Sequence, residues 1–327
     1  MGSFMLEHGG RLRRFATHYQ RPEADWLDLS TGINPNGWPV PDLPASIWQR
    51  LPDNDDDLIL AAQSYYQTEN LLVVPGSQAA IQLLPRFRVP SRVGIVSPTY
   101  AEHGYCWQQA GHQVQNVRLE SCDLTGLDVL IVVTPNNPTG QKISTDQLLI
   151  CHQELQQRQG WLIVDEAFID TNPQQSLLPL DARDGLIVLR SLGKFFGLAG
   201  LRLGFVSAPK PLLKQLEHAL GPWPVAHASR YIATQALEDT DWQQQTRRQL
   251  KHASQRLAAL LSEYKLYASG GCDLFQWVKT DHAEAVHHQL AEQGILTRLF
   301  DEPASLRFGL PGLESDWQRL QTALEML

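Results

Sequence analysis

The chain has 327 residues, of which 43% are hydrophobic and 19% are charged, a composition typical of a globular protein with a substantial buried core. Its formal net charge of −8 disfavours a nucleic-acid-binding surface, and no run of basic residues interrupts that balance. The longest apolar runs, such as VLIVV at 129–133, have the length of strands and are too short to span a bilayer.

Cysteine usage and the first residues predict the compartment. The cysteines are far apart and form no CxxC pair, so neither a disulfide framework nor a metal site is expected. MGSFMLEHGG lacks the apolar stretch of a secretory signal. We therefore expect a protein of the reducing cytoplasm. The cysteines are Cys106, Cys122, Cys151 and Cys272.

The elements follow in chain order, starting with an irregular segment. Residues 34–52 contain five prolines and predict an arm that crosses a surface. DLILAAQSYYQ then has a helical pattern, and the short apolar run NLLVVPG follows it. Strand-like runs come next, with helical stretches between most of them: VGIVS at 93–97, VLIVV at 129–133, WLIV at 161–164 and LIVLR at 186–190. This alternation predicts βαβ units and a mostly parallel sheet.

The last third of the chain predicts a second, smaller unit. A long helical region spans roughly 212–263. It is followed by the strand LFQWV, the helix HAEAVHHQLAEQG, the strands ILTRLF and SLRFGL, and a final helix that ends at Leu327. The predicted fold is therefore α/β, with a mostly parallel mixed sheet in a large domain and a smaller α/β domain at the C-terminus. We assign residues 1–30 to an arm that packs on the small domain, 31–215 to the large domain and 216–327 to the small domain.

Polar loops follow five predicted strands of the large domain. In an open α/β sheet, ligands bind at the carboxyl ends of the strands. The loops there are PGSQAAIQLL, PTYAEHG, TPNNPTG, DEAF and SLGK.

Two of these loops carry groups suited to a phosphate. Gly76-Ser77-Gln78 opens a helix and offers backbone N–H groups and a hydroxyl. Ser191 and Arg202 add a second hydroxyl and a charged fork. The alternative for the first loop is an ordinary strand-to-helix turn capped by Ser77.

The other loops carry groups suited to a planar aromatic aldehyde. Asp165 directly follows an apolar strand, where its carboxylate needs a partner such as a protonated ring nitrogen, although it is equally suited to cap a helix. Asn137 can donate to a ring oxygen, and Tyr100 can stack on a ring; turn chemistry and core packing are the alternatives. Lys194 lies in a mostly apolar stretch that would lower its pKa, so it can form a Schiff base or snorkel from a strand. A phosphate, a ring nitrogen, a ring oxygen, a stacking face and an aldehyde together describe pyridoxal 5′-phosphate.

TPNNPTG, DEAF and SLGKFFGLAGLRLG resemble the fold type I pyridoxal-phosphate enzymes of the class I/II aminotransferase group, over nearly the whole chain. The resemblance implies that Lys194, Asp165 and Tyr100 are the catalytic residues: the Schiff-base lysine, the partner of the ring nitrogen and the stacking ring. It implies that Asn137 meets the ring hydroxyl and that Arg307, in SLRFGLP, pairs with the substrate carboxylate. It assigns the cofactor phosphate to the remaining cofactor-binding residues, Gly76, Ser77, Gln78, Ser191 and Arg202.

HGG at 8–10, STGINPNG at 30–37 and DEAFID at 165–170 resemble one branch of that group, which decarboxylates O-phospho-L-threonine to 1-amino-2-propanol phosphate for cobalamin biosynthesis. The resemblance implies that His8, Gly9 and Gly32 line the substrate site. It also implies that Arg298 meets the substrate phosphate, although a surface charge on a strand is an equal alternative. The implied partners are a phosphorylated amino acid as substrate and a second copy of the chain in a homodimer.

Two positions depart from the wider group. Phe168 stands where most members have a tyrosine that donates to the ring oxygen. The decarboxylating branch resembles this chain in having phenylalanine at that position. Leu51 stands where many have a tyrosine that reaches the neighbouring subunit's cofactor phosphate.

Two other functions remain open. One is a histidinol-phosphate-type aminotransferase, which shares the cofactor site and a phosphorylated substrate. The other is a non-catalytic protein with an aminotransferase-like domain, which the acidic charge does not favour.

Overall fold

The computed structural model describes residues 8–119, 124–180 and 183–327. The first seven residues of the predicted arm, and Cys122, lie outside them. The strands are β1 (Leu27–Asp28), β2 (Leu71–Val74), β3 (Arg92–Val96), β4 (Gln113–Val117), β5 (Val129–Val133), β6 (Trp161–Asp165), β7 (Leu186–Ser191), β8 (Gly204–Ser207), β9 (Gly270–Cys272), β10 (Phe275–Lys279), β11 (Ile295–Leu296), β12 (Arg298–Phe300) and β13 (Ser305–Gly309).

The α-helices of the described residues alternate with these strands. They are α1 (Leu12–His18), α2 (Ser46–Gln49), α3 (Leu58–Tyr66), α4 (Ser77–Leu83), α5 (Ala101–Gln109), α6 (Thr145–Gln156), α7 (Lys210–Leu220), α8 (His227–Glu238), α9 (Thr240–Glu263), α10 (Ala283–Glu292) and α11 (Glu314–Leu324). Within the described residues no helix combines the length and the apolar character that crossing a membrane requires.

The chain forms two compact units. Among the described residues, the larger comprises 37–119, 124–137, 142–180 and 183–245, and the smaller comprises 8–36, 138–141 and 246–327. The change between them in the second half of the chain falls inside α9. The domain limits at residues 30 and 215 stay a prediction.

A seven-stranded sheet forms the centre of the larger unit, in the order β2-β8-β7-β6-β5-β3-β4. In this sheet β8 runs opposite to the other six strands, so the predicted α/β class with a mostly parallel mixed sheet is confirmed. All five residues of β5 are buried, because helices cover both faces of such a sheet and its central strands are apolar throughout.

The smaller unit contains a four-stranded antiparallel sheet, β12-β13-β10-β9, and the parallel pair β1-β11. ILTRLF, predicted as one strand, is two strands in different sheets: β11 pairs with β1 and β12 pairs with β13. The predicted helical region at 212–263 is also divided, into α7, α8 and α9. Gly221 ends α7 with a φ of 71°, and the prolines at 222 and 224 prevent the helix from continuing.

A buried ionic cluster links β6 and β7 in the larger unit. Arg190 is 1% exposed and donates to Glu166 Oε2 (3.0 Å), to Asp170 and to Ser176 Oγ (3.1 Å). Glu166 also accepts hydrogen bonds from Ser176 and from the Leu177 backbone. Burial lowers the pKa of Arg190, but Asp170 and the other acidic neighbours outweigh it, so the net pKa is raised and the guanidinium stays charged. The structure thus uses Glu166, adjacent to the candidate catalytic Asp165, as a structural residue.

We expect Arg190→Met to lower the free energy of unfolding by about 3–5 kcal/mol, because it leaves two carboxylates buried without their cation. Urea unfolding followed by circular dichroism measures this change. Arg256→Met is the matched control, since Arg256 pairs with Glu314 while its side chain is 49% exposed, and it should leave the unfolding midpoint close to that of the wild type. Equal midpoints for the two variants would contradict a stabilising role for the buried cluster.

Candidate active site

The start of α4 forms a cradle with β7 and β8 in the larger unit. Val74 at the end of β2 and Ser191 at the end of β7 both pair with Gly204 of β8, so Gly76, Ser77 and Ser191 lie at one edge of the sheet. A side chain at Gly204 would place its Cβ 2.7 Å from the Ser77 backbone nitrogen. Strand register therefore brings together the residues that the sequence predicts to bind a phosphate.

Arg202 closes this cradle. Gly76 has a φ of 75°, a conformation that favours glycine, and a Cβ there would lie 2.8 Å from Arg202 Nη2 and displace the guanidinium from its present position. Arg202 itself has a φ of 49°, which is uncommon for a residue with a side chain. Backbone N–H groups, two hydroxyls and a guanidinium converge here, which is the chemistry that binds a phosphate.

Tyr100 is oriented by hydrogen bonds from the cradle side. Its hydroxyl donates to Gln78 Oε1 (3.1 Å), and Gln78 Nε2 donates to Glu102 Oε2 (3.0 Å). Burial, with the neighbouring carboxylates of Glu102 and Asp165, raises the pKa of Tyr100, so its ring stays neutral. The structure thus assigns Gln78 a positioning contact to Tyr100.

Asp165 lies at the end of β6, buried at 4% exposure. Its Oδ2 is 3.0 Å from His103 Nε2, and its Oδ1 accepts a hydrogen bond from the Ala167 backbone (3.0 Å). His103 is 1% exposed and lies one helical turn beyond Tyr100 on α5. Sequence reasoning missed this histidine; the available signal was its position in PTYAEHG, three residues after Tyr100, which is the N-cap of α5.

In the loop after β7, Lys194 directly precedes two anchored residues. Phe195 and Phe196 are fully buried and contact the ring of Trp242, at 5.5 and 5.7 Å between ring centroids. Lys194 is half-buried, and its Nζ lies 5.4 Å from the ring centroid of Phe168. The phenylalanines therefore fix the backbone from which the lysine amine projects.

The TPNNPTG loop contains two asparagines with different surroundings. Asn136 is buried, accepts from Thr99 Oγ1 (2.7 Å) and donates to the Pro98 carbonyl (2.8 Å), which ties this loop to the one before Tyr100. Asn137, the predicted partner of a ring oxygen, is half-buried beside it. Asn136 is a positioning residue that the sequence did not single out.

In the smaller unit, Arg298 and Arg307 are direct cross-strand partners on β12 and β13. Arg307 is 6% exposed, donates from Nη2 to the Ser30 carbonyl (2.8 Å) and lies 5.2 Å from the Phe275 ring centroid. Burial and the charge of Arg298 lower the pKa of Arg307 to about 10, so it remains charged at neutral pH. Two neighbouring cations suit a ligand with two anionic groups.

The predicted arm residues lie in the same unit as these arginines. His8, Gly9, Ser30 and Arg298 line one cavity of about 470 Å³. The Gly10 N–H donates to Ser30 Oγ (2.8 Å), and Gly9 packs directly on the Ser30 carbonyl, where a side chain would collide. Gly32 is buried and does not line this cavity.

Known proteins are similar to this chain in sequence and in fold. The family model described as aminotransferase class I and II matches residues 43–324, and the chain belongs to that family. Two relatives are each called threonine-phosphate decarboxylase. The one from Pseudomonas aeruginosa is 53% identical over 98% of this chain and 97% of its own length. The one from a Sinorhizobium species is 41% identical, again over 98% of this chain and 97% of its own length.

A solved structure with the same fold is the histidinol-phosphate aminotransferase from Sinorhizobium meliloti in complex with pyridoxal-5′-phosphate. It superposes with a TM-score of 0.84 at 18% sequence identity, over 99% of this chain and 95% of that one.

Proposed function

We propose that this protein is a pyridoxal-phosphate-dependent carboxy-lyase that converts O-phospho-L-threonine into (R)-1-amino-2-propanol O-phosphate, a step of cobalamin biosynthesis. The observation that carries the proposal is the identity of 53% over 98% of the chain with a relative called threonine-phosphate decarboxylase. The neighbouring cations Arg298 and Arg307 support it, because a substrate with a carboxylate and a phosphate needs two such partners.

The residues of the larger unit fit the coenzyme. The cradle of Gly76, Ser77, Ser191 and Arg202 would hold its phosphate, and its space is kept open by a glycine that no other residue can replace without displacing Arg202. Lys194 would bind its aldehyde, with Tyr100 and Asn137 against its ring. When bound, pyridoxal 5′-phosphate supplies a protonated ring that accepts the electrons of a bond broken at the substrate Cα.

The protein's own groups decide which bond is broken. Asp165, held by His103 Nε2 and the Ala167 N–H, presents a carboxylate that keeps the coenzyme's ring nitrogen protonated. Arg307 holds the substrate carboxylate and Arg298 its phosphate, and these two anchors align the Cα–carboxylate bond for cleavage. Lys194 Nζ is then the group that returns a proton to Cα.

Release of CO₂ tests this function against its main alternative. The purified enzyme with bound coenzyme is incubated with O-phospho-L-threonine alone, and we expect one CO₂ for each 1-amino-2-propanol phosphate formed. A histidinol-phosphate-type aminotransferase would need a 2-oxo acid and release none. This chain has the same fold as the histidinol-phosphate aminotransferase from Sinorhizobium meliloti, so the fold is compatible with either reaction. Transamination of histidinol phosphate without CO₂ release would replace our proposal.

For Arg298→Ala we expect KM for O-phospho-L-threonine to rise by about 10- to 100-fold, because a charge-assisted contact to the phosphate is lost. Discrimination against unphosphorylated L-threonine should fall with it, while coenzyme retention stays unchanged. Arg248→Ala, at an exposed position of α9, is the control. A variant that loses coenzyme but keeps its substrate preference would contradict the assignment of Arg298.

We also propose a cytoplasmic homodimer. Large apolar side chains are exposed on α2, α3 and α8, and α8 contacts both of the other helices: Trp48 is 69% exposed, Leu60 64% and Tyr231 40%. Leu51, at the position where many family members have a tyrosine, is 64% exposed and follows α2 closely in sequence. Exposed apolar side chains on neighbouring helices favour burial by a second copy. The described cysteines, Cys106, Cys151 and Cys272, form no disulfide, which suits a reducing compartment.

A further inference from the structure

The cavity of about 470 Å³ in the smaller unit is unusually rich in cations. Three arginines (Arg11, Arg14 and Arg298) and four histidines line it, and none of its described lining residues carries a carboxylate. The three guanidiniums gathered here belong to a chain whose formal net charge is −8. The volume falls within the range of about 300–1,000 Å³ that is typical of small-molecule sites. Guanidinium and imidazole N–H donors lining one cavity suit an anionic ligand.

The arginines in and directly before helix α1 have different surroundings: Arg11 and Arg14 line the cavity, and Arg13 does not. Arg14 and His18 are four residues apart on α1 and share one helix face, and Arg11 is the N-cap residue that precedes the helix; all three line the cavity. Arg13 does not line it, and its Nε instead pairs with Glu23 Oε1 at 2.9 Å. Adjacent arginines in LRRF thus have separate roles, one toward the cavity and one toward a surface carboxylate.

The opposite wall is built from α10 and the strand beyond it. His287 is 4% exposed, and its Nδ1 shares a 2.8 Å hydrogen bond with Thr297 Oγ1. Phe15 of the arm packs edge-on against the His287 ring at 5.7 Å between centroids. Tyr19 OH and His288 Nδ1 are 2.5 Å apart at the mouth. The imidazoles are therefore held in place, and apolar side chains lie between the charged ones.

We infer that this cavity selects a phosphate monoester dianion and that Arg11 and Arg14 are its specificity residues, acting from the arm together with Arg298. The ligand class is a small phosphorylated molecule with a short, partly apolar body. Several guanidinium groups can each donate two hydrogen bonds to a phosphate dianion, whose three terminal oxygens and double charge can engage more donors than the two oxygens and single charge of a carboxylate. The inference rests on the proposed function only through the shared Arg298.

Calorimetric titration of the coenzyme-loaded enzyme with inorganic phosphate tests the site directly. We expect Kd for phosphate to rise about tenfold in Arg11→Gln and in Arg14→Gln, since each loses a charge-assisted contact. Arg13→Gln is the matched control: it removes the same charge from the same helix and should bind phosphate like the wild type. With O-phospho-L-threonine, KM should rise by a similar factor in the two cavity variants while kcat changes less. Unchanged coenzyme absorbance and melting temperature verify that each variant is folded.

Three outcomes separate the possibilities. Phosphate affinity that is equal in the wild type and both cavity variants overturns the inference, even if CO₂ release is normal. Equal weakening by Arg13→Gln also overturns it, because the effect would then be one of net charge. If phosphate binding depends on Arg11 and Arg14 but O-phospho-L-threonine yields no CO₂, the phosphate site stands and the proposed substrate fails.

Discussion

Lys194→Ala is expected to lower CO₂ release from O-phospho-L-threonine by at least about 10⁴-fold and to abolish the visible absorbance band of the bound coenzyme. The physical reason is that, in the proposed mechanism, the Lys194 amine has two functions: it would bind the coenzyme aldehyde and, once displaced by the substrate amine, would return the proton to Cα. The loop is rigid because Phe195 and Phe196 are fully buried, so alanine removes the amine without moving its backbone. Steady-state CO₂ release and an absorbance spectrum measure the two effects.

Lys214→Ala is the control for this variant, since Lys214 is exposed on α7. It should retain wild-type spectrum and rate. An unchanged absorbance band in Lys194→Ala would mean that another amine holds the coenzyme. A wild-type protein that shows no such band and no turnover would instead support the non-catalytic alternative.

Asp165→Asn is expected to lower kcat by about 10³-fold, because the amide keeps the size of the carboxylate but loses the charge that stabilises a protonated ring nitrogen. At 4% exposure, water replaces that charge poorly. The smaller change His103→Asn removes one hydrogen bond to the charged carboxylate and should cost about 10- to 100-fold. Rates with saturating coenzyme and substrate measure both.

Asp146→Asn, at an exposed position in the first turn of α6, is the control for loss of a carboxylate. It should leave kcat unchanged. If Asp165→Asn kept most of the activity, the carboxylate would be structural and the ring nitrogen would have a different partner.

The loops that form the candidate site were predictable because a parallel sheet gathers the carboxyl ends of its strands at one edge. Once VLIVV, WLIV and LIVLR are recognised as neighbouring strands, Asp165, Ser191 and the loop of Lys194 must lie close together. Strand pairing in the structure has this arrangement, with β5, β6 and β7 adjacent. Local apolar patterns were sufficient here because the strands are buried on both faces.

Residues that act through other residues were not predictable in the same way. His103, Asn136 and Arg190 each contact a partner distant in sequence: His103 and Asp165 are 62 residues apart. Strand β8, which brings Gly204 against Ser77, was likewise missed, because its neighbours in the sheet come from both ends of the larger unit. The predicted strand ILTRLF was divided by pairing partners that no local pattern reveals.

The amino-acid sequence by itself determined the fold class, the order of its buried strands and the chemical identity of the groups at their ends, because these depend on local apolar patterns and residue type. Only the tertiary structure decided which groups come together: His103 on Asp165, Arg202 against Gly76, and Arg11 and Arg14, but not Arg13, in the lining of the cavity. Those contacts join segments far apart in the chain, and their geometry follows from strand register and helix packing rather than from any short stretch of sequence.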